Sequence, residues 1–206
     1  MQLEGFVEAS KEDAEQYVRT GSWLSITLGD VLDNAADKYP DKEALVDSRS
    51  RVTYSQLRDK ANRLALGLHN LGIGRRDYVL LQLPNWNEFA YSFFALHMIG
   101  ATAVLLLPRH RQVEINYFCR LTMAKAWIVP ERYRTTDYLP VIDDVLKANP
   151  HLKRVISVRS KGTAQFTSLE KLIDEAVPDH SGGVRDRKPS ATDVAFIIPT
   201  GGSTGL

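Results

Sequence analysis

The sequence predicts an α/β protein, a parallel-rich sheet with helices on both faces. Three observations lead there. From residue 78 onward, short apolar runs alternate with amphipathic stretches at helical spacing, the pattern of repeated strand–helix units. One run, residues 101–107, is apolar but for Thr102, as in a strand buried on both faces in the middle of a parallel sheet. Three of the helical stretches open on Thr, Ser or Asn and close on Pro or Gly, so there the punctuation agrees with the periodicity.

Taken in order, residues 11–19 suit a short helix that Gly21, Ser22 and Trp23 break. Thr27 reads as an N-cap with Asp30 as an imperfect capping box. Leu28, Val31, Leu32, Ala35, Ala36 and Tyr39 then recur at helical spacing up to Pro40. Residues 44–46 and 52–54 flank a turn and predict a hairpin. Ser55 is expected to cap the next helix, whose stripe is Leu57, Ala61, Leu64, Ala65, Leu68 and Leu71, with Gly72 at the left-handed position after it. Residues 78–83 form a strand. Asn85 and Glu88 look like a capping box for a helix bearing Phe89, Ala90, Phe93, Phe94 and Met98, ended by Gly100. After the 101–107 strand come a helix at 113–123, a strand at 126–129, a helix at 138–148, a strand at 154–158 and a helix at 168–176. A polar linker, 178–192, leads to a last buried strand, 194–198, which Pro199 ends for want of an N–H. The expected division is an N-terminal segment, 1–50, packed on an α/β unit, 51–206.

Composition narrows the function. The 206 residues are 44% hydrophobic and 25% charged, which is ordinary for a globular chain. Lys and Arg total 26 against 25 Asp and Glu, a net charge of +1, so no electrostatic footprint for nucleic acid or an anionic membrane is expected. The single cysteine, Cys119, excludes an internal disulfide and fits a reducing compartment. Residues 1–10 lack the basic start and apolar core of a secretory signal, and the longest apolar run is too short to span a bilayer. A cytoplasmic protein is expected.

The stretch with the most chemistry is the last one. Behind the final strand stand Thr200, Gly201, Gly202, Ser203, Thr204 and Gly205. Three glycines let the backbone turn tightly, so that successive N–H groups can converge on an anion. The three hydroxyls add donors, and a phosphate is the anion such a pocket suits best. No glycine followed by Lys-Ser or Lys-Thr stands at Walker A spacing, and an ordinary flexible turn is the competing reading. Ligands of open α/β sheets bind beyond the carboxyl ends of the strands. The terminal loop, Pro84-Asn85 and Pro108-Arg109-His110 all follow strands and are candidates to share one crevice.

Three stretches together resemble the adenylate-forming superfamily of acyl-CoA synthetases, aryl-acid ligases and peptide-synthetase adenylation domains. They are Val52-Thr53-Tyr54-Ser55-Gln56-Leu57 running on to Leu71-Gly72-Ile73; Leu83-Pro84-Asn85 with Glu88-Phe89, then Ile99-Gly100-Ala101 and the strand ending at Pro108; and the loop from Thr200 to Gly205. Tyr17-Val18-Arg19-Thr20-Gly21-Ser22-Trp23, Leu107-Pro108-Arg109-His110-Arg111 with Glu114, and the double glycine Gly201-Gly202 are similar to stand-alone aryl-acid ligases of the 2,3-dihydroxybenzoate-AMP ligase type. The resemblance implies ATP and Mg²⁺ as cofactors, an aromatic carboxylic acid such as 2,3-dihydroxybenzoate or salicylate as substrate, and a carrier-protein phosphopantetheine or CoA as thiol acceptor, in siderophore assembly. It assigns Thr200 to Gly205 to the nucleotide phosphates and places His110 near the acyl pocket or the phosphates. As a residue on its own, His110 reads as a polar loop residue before a helix, and Arg109 and Arg111 as a solvated pair. Trp86, Phe89, Phe93 and Phe94 read as core, as does Cys119. No residue spacing suggests a structural metal. The family loop normally continues to a proline and a lysine and its members are several hundred residues longer, so no catalytic residue is expected within this stretch and the chain alone is expected to be inactive. A CoA ligase for another aromatic or fatty acid, and a non-catalytic nucleotide-binding module, are the alternatives.

Overall fold

The computed structural model describes residues 7, 9–162, 165–176 and 189–199. The described chain runs α1 (Lys11–Arg19), α2 (Leu28–Lys38), β1 (Glu43–Val46), β2 (Arg51–Thr53), α3 (Tyr54–Asn70), β3 (Tyr78–Leu81), α4 (Asn87–Met98) and β4 (Thr102–Leu105). It continues through α5 (Gln112–Thr122), β5 (Ala126–Pro130), β6 (Arg132–Tyr133), β7 (Thr136–Asp137), α6 (Leu139–Ala148), β8 (Arg154–Val158), β9 (Thr167–Ser168), α7 (Leu169–Glu175) and β10 (Phe196–Ile197).

Six strands form one sheet in the order β10-β4-β3-β5-β8-β9, and every pairing in it is parallel. Side chains of a strand alternate between faces, and here both faces are covered. Val79, Leu81, Ala103, Ala126, Ile128 and Ile156 pack on α3, α4 and α7, while Leu80, Val104, Trp127, Val129 and Val155 pack on α5 and α6. Burial on both sides is why these strands read as continuous apolar runs rather than as alternating ones. Helices α3 and α7 touch closely: a Cβ added at Gly67 would stand 3.0 Å from Leu172 Cβ and 3.1 Å from its carbonyl oxygen.

The α/β class and the order of strands and helices follow the sequence, and Thr27 and Asp30 do form a complete capping box. Several local expectations fail. Thr53, not Ser55, caps α3: Gln56 N donates to Thr53 Oγ1 (3.3 Å) and Thr53 N donates to Gln56 Oε1 (2.9 Å). A cap at Ser55 would put Arg58 at the third position, and a guanidinium has no acceptor to return. Asn85 is exposed and caps nothing; α4 starts at Asn87 behind Trp86, without a side-chain cap from its own segment. Glu88 is drawn away by Arg159, and the Asn87 N–H reaches Asp47 Oδ2 of the hairpin turn instead, at 3.4 Å. The final strand is not buried. β10 has only β4 beside it among the described residues, and Phe196 and Ile198 are 39% and 58% exposed. The small hairpin β6–β7 and the short strand β9 have two residues per strand, too few for any periodicity to announce them.

Candidate functional site at the carboxyl edge of the sheet

The strand order settles which loops are neighbours. Because β10, β4 and β3 are adjacent and parallel, the segments that follow them leave the same edge of the sheet side by side. Those segments begin at Ile198-Pro199, Leu106-Leu107 and Gln82-Leu83. Thr200, Gly201, Gly202, Ser203, Thr204 and Gly205 lie outside the described residues. The strand that leads to them is anchored along its length. Thr102 Oγ1 donates to Val194 O (3.0 Å) and Ala103 N to Ala195 O (3.2 Å). At its start, Arg75 donates twice to Asp193, at 2.9 and 3.1 Å. This fork holds the Asp193 carboxyl below its ordinary range.

The loop after β4 is held from three sides. Gln82 Nε2 donates to Leu107 O and to His110 O, both at 3.0 Å. Tyr138 Oη donates to Pro108 O at 2.6 Å. Arg111 Nη1 donates to Pro108 O (3.0 Å) and His110 O (3.1 Å), and its Nη2 to Thr136 Oγ1 (3.0 Å). Arg111 and Arg109 are both exposed, as expected, but the Arg111 guanidinium also ties this loop to the β6–β7 hairpin. The His110 ring is half-buried, stacks on Phe118 with centroids 6.1 Å apart, and accepts from Leu107 N through Nδ1 at 3.3 Å. Burial pushes its pKa down, opposed by the charge of Glu114 and aided by that of Arg109, which favours the neutral ring. Beside the loop an open recess of about 630 Å³ is bordered by Arg109, Arg111 and Arg134, with Tyr133 and Thr136. Three guanidinium groups around one hollow suit an anion.

The loop after β3 is positioned by a buried ion cluster. Arg159, at the carboxyl end of β8, donates to Glu88 Oε1 (3.0 Å) and Oε2 (2.9 Å) and to Asp47 Oδ2 (2.6 Å). Its guanidinium lies 3.7 Å from the centre of the Trp86 ring, a cation–π contact. Trp86 thus borders the core as expected, but with a charge across its face. Desolvation raises the Asp47 pKa, but the N–H groups of Arg49, Ser50 and Asn87 and the Arg159 guanidinium outweigh it and leave the carboxyl below its ordinary value.

Gln82, Tyr138 and Arg159 were not singled out by sequence reasoning. Gln82 was visible as the one polar residue in the run Tyr78-Val79-Leu80-Leu81-Gln82-Leu83; the other two carry no local signal. Cys119 is fully buried, and burial raises its thiol to about 11, as suits a core residue. Among the described residues no three His, Cys, Asp or Glu side chains converge as a metal-ion set. No described helix is long and apolar enough to cross a membrane.

An open parallel sheet whose neighbouring strands leave one edge together, with arginines beside them, has the layout in which α/β proteins bind ligands. The chain belongs to the AMP-binding enzyme family, whose model matches residues 32–206. It is 39% identical over 204 residues to the 2,3-dihydroxybenzoate-AMP ligase of Bacillus subtilis, covering 99% of this chain and 36% of that protein. It is 35% identical over 211 residues to the salicyl-AMP ligase / salicyl-S-ArCP synthetase of Mycobacterium tuberculosis, covering 99% and 36%. Among solved structures, the apo structure of Mycobacterium smegmatis MbtA superposes with a TM-score of 0.84 at 32% identity, covering 98% of this chain and 36% of that one. A luciferase of Phrixothrix hirtus, at 20% identity and a TM-score of 0.72, shares the fold. The chain spans about 36% of the length of the curated relatives it matches.

Proposed function

We propose that the protein activates an aromatic carboxylic acid, 2,3-dihydroxybenzoate or salicylate, as its acyl-adenylate and passes the acyl group to a thiol in siderophore biosynthesis. The observation that carries this is the identity to 2,3-dihydroxybenzoate-AMP ligase across almost the whole chain. A carboxylate oxygen attacks the α-phosphorus of ATP, the bond to the β-phosphate breaks, and pyrophosphate leaves. A thiol, from a carrier protein or CoA, then displaces AMP.

The part of this chain in that reaction is to hold and aim anionic oxygens, since positioning and charge stabilisation dominate phosphoryl chemistry. We assign the β- and γ-phosphates to the N–H groups of Gly201, Gly202 and Gly205 and the hydroxyls of Thr200, Ser203 and Thr204. Support comes from the placement of β10 at the sheet edge, with Pro199 leading into that loop. His110 and the arginines around the recess border the same edge. Mg²⁺, when bound, would neutralise triphosphate charge.

The deciding experiment is ATP–pyrophosphate exchange by the full-length protein against a panel of acids. Exchange with dihydroxybenzoate or salicylate is expected, and its absence with every aryl acid would overturn the reading. A second reading, a CoA ligase for another aromatic acid, is favoured by the 32% identity to 2-hydroxy-7-methoxy-5-methyl-1-naphthoate–CoA ligase of Streptomyces carzinostaticus. Exchange only with unsubstituted or larger acids, coupled to CoA, selects it. Within the full-length protein, Thr204→Ala is expected to lose about 1.5–3 kcal/mol, the range for a hydrogen bond to a charged group. That is roughly a ten- to hundredfold loss of exchange rate, and an unchanged rate refutes the loop assignment.

A further inference from the structure

Gln82 stands in the first position after β3, and its backbone continues the ladder by donating to Ile128 O at 2.9 Å. Its side chain is fully buried, on the face of the sheet shared with Leu80. Both partners of its nitrogen are carbonyl oxygens, so only the amide NH₂ can face them and the amide orientation is unambiguous. One nitrogen therefore ties residue 107 to residue 110. The turn is closed a second time by His110 N donating to Leu107 O at 3.0 Å.

That closure has a chemical consequence at the imidazole. Leu107 N–H points at His110 Nδ1. A nitrogen that accepts carries no proton in the neutral ring, so the proton sits on Nε2. Nε2 makes no hydrogen bond to any described residue, and the Phe118 stack restrains the ring plane. The loop thus carries a neutral N–H donor of fixed tautomer, and it follows β4, the neighbour of β10 that leads towards Thr200. Such a donor suits an oxygen anion without bringing a full charge of its own.

We infer that Gln82 is a positioning residue, tying Leu107 O to His110 O so that His110 is held as the Nε2–H tautomer, a donor to an anionic oxygen of the nucleotide or of the acid. The donor role rests on the adenylation reading above; the tautomer and its dependence on Gln82 do not. Two measurements separate them. Nitrogen-resolved NMR of the His110 ring is expected to show Nε2 protonated in the wild type and a mixture of tautomers in Gln82→Met, which keeps length and removes both donors. A wild-type ring protonated on Nδ1, or a ring signal unchanged in Gln82→Met, overturns the positioning role.

In the full-length protein, Gln82→Met is expected to lower kcat/KM for pyrophosphate exchange about tenfold, the worth of one neutral hydrogen bond. His110→Gln keeps a donor near the Nε2 position and is expected to stay within roughly threefold of wild type, while His110→Asn keeps only the Nδ1 position and loses about tenfold. A rise in KM for ATP in the Asn variant assigns the oxygen to a phosphate, and a rise for the acid assigns it to the carboxylate. Equal rates in the two histidine variants overturn the donor role, also where Gln82→Met folds poorly. Absence of exchange in the wild type sinks the ligase reading, and the ring spectrum still decides the role of Gln82.

Discussion

Replacing Arg159 by methionine removes the one cation of a buried cluster and leaves its volume nearly filled. The Arg159 and Asp47 side chains are 9% and 8% exposed, and Glu88 14%. Both carboxylates reach the same guanidinium nitrogen, at 2.6 and 2.9 Å, so their oxygens lie within about 5.5 Å of each other. At that separation two unit charges repel by about 3 kcal/mol at an effective dielectric of about 20. The cation–π contact with Trp86 adds about 1–2 kcal/mol for a desolvated pair. The expected loss is about 3–5 kcal/mol, the range for breaking a buried ion pair, and with a urea slope of about 2 kcal/mol/M the midpoint falls by about 1.5–2.5 M.

The pH dependence supplies a sharper test of the same cluster. In the wild type Asp47 has a folded pKa below its unfolded value, so its contribution is present above the unfolded value and is lost as pH falls through the folded one. In Arg159→Met the two carboxylates face each other without a cation, one pKa rises, and the variant regains stability as pH falls from 7 towards that raised value. Urea denaturation at a series of pH values reads both slopes. A loss under about 1 kcal/mol, the size of a surface pair, together with parallel pH profiles, refutes the view that this cluster is a buried tie between hairpin, helix and sheet.

Three other outcomes are expected. Gly67→Ala places a methyl 3.0 Å from Leu172 Cβ and 3.1 Å from Leu172 O, so it destabilises by about 1–3 kcal/mol as overpacking; an unchanged denaturation midpoint means the two helices separate freely. Thr53→Ala loses a working N-cap and about 1 kcal/mol, whereas Ser55→Ala stays within about 0.5 kcal/mol, and equal losses would contradict the cap assignment. Cys119, buried with its thiol raised to about 11, is expected to resist iodoacetamide at pH 8 in the folded protein and react after denaturation, followed by mass spectrometry.

The sequence by itself determined what depends on neighbours a few residues away. Apolar stripes at 3.6-residue spacing located α2, α3 and α4, largely apolar runs located β3, β4 and β5, and Thr27 with Asp30 marked a helix start. A run of matching short stretches also revealed the family, and the glycine-rich tail suggested its phosphate contact. Only the tertiary structure decided that β10, β4 and β3 lie side by side, because strand order reflects which faces pack together and not the order of the chain. It decided as well that Phe196 lies half open at an edge, that Glu88 serves Arg159 71 residues away rather than capping its own helix, and that the exposed Arg111 ties its loop to the β6–β7 hairpin. Periodicity registers how much apolar surface a segment must bury; it holds no record of which distant charge will meet it once the solvent is gone.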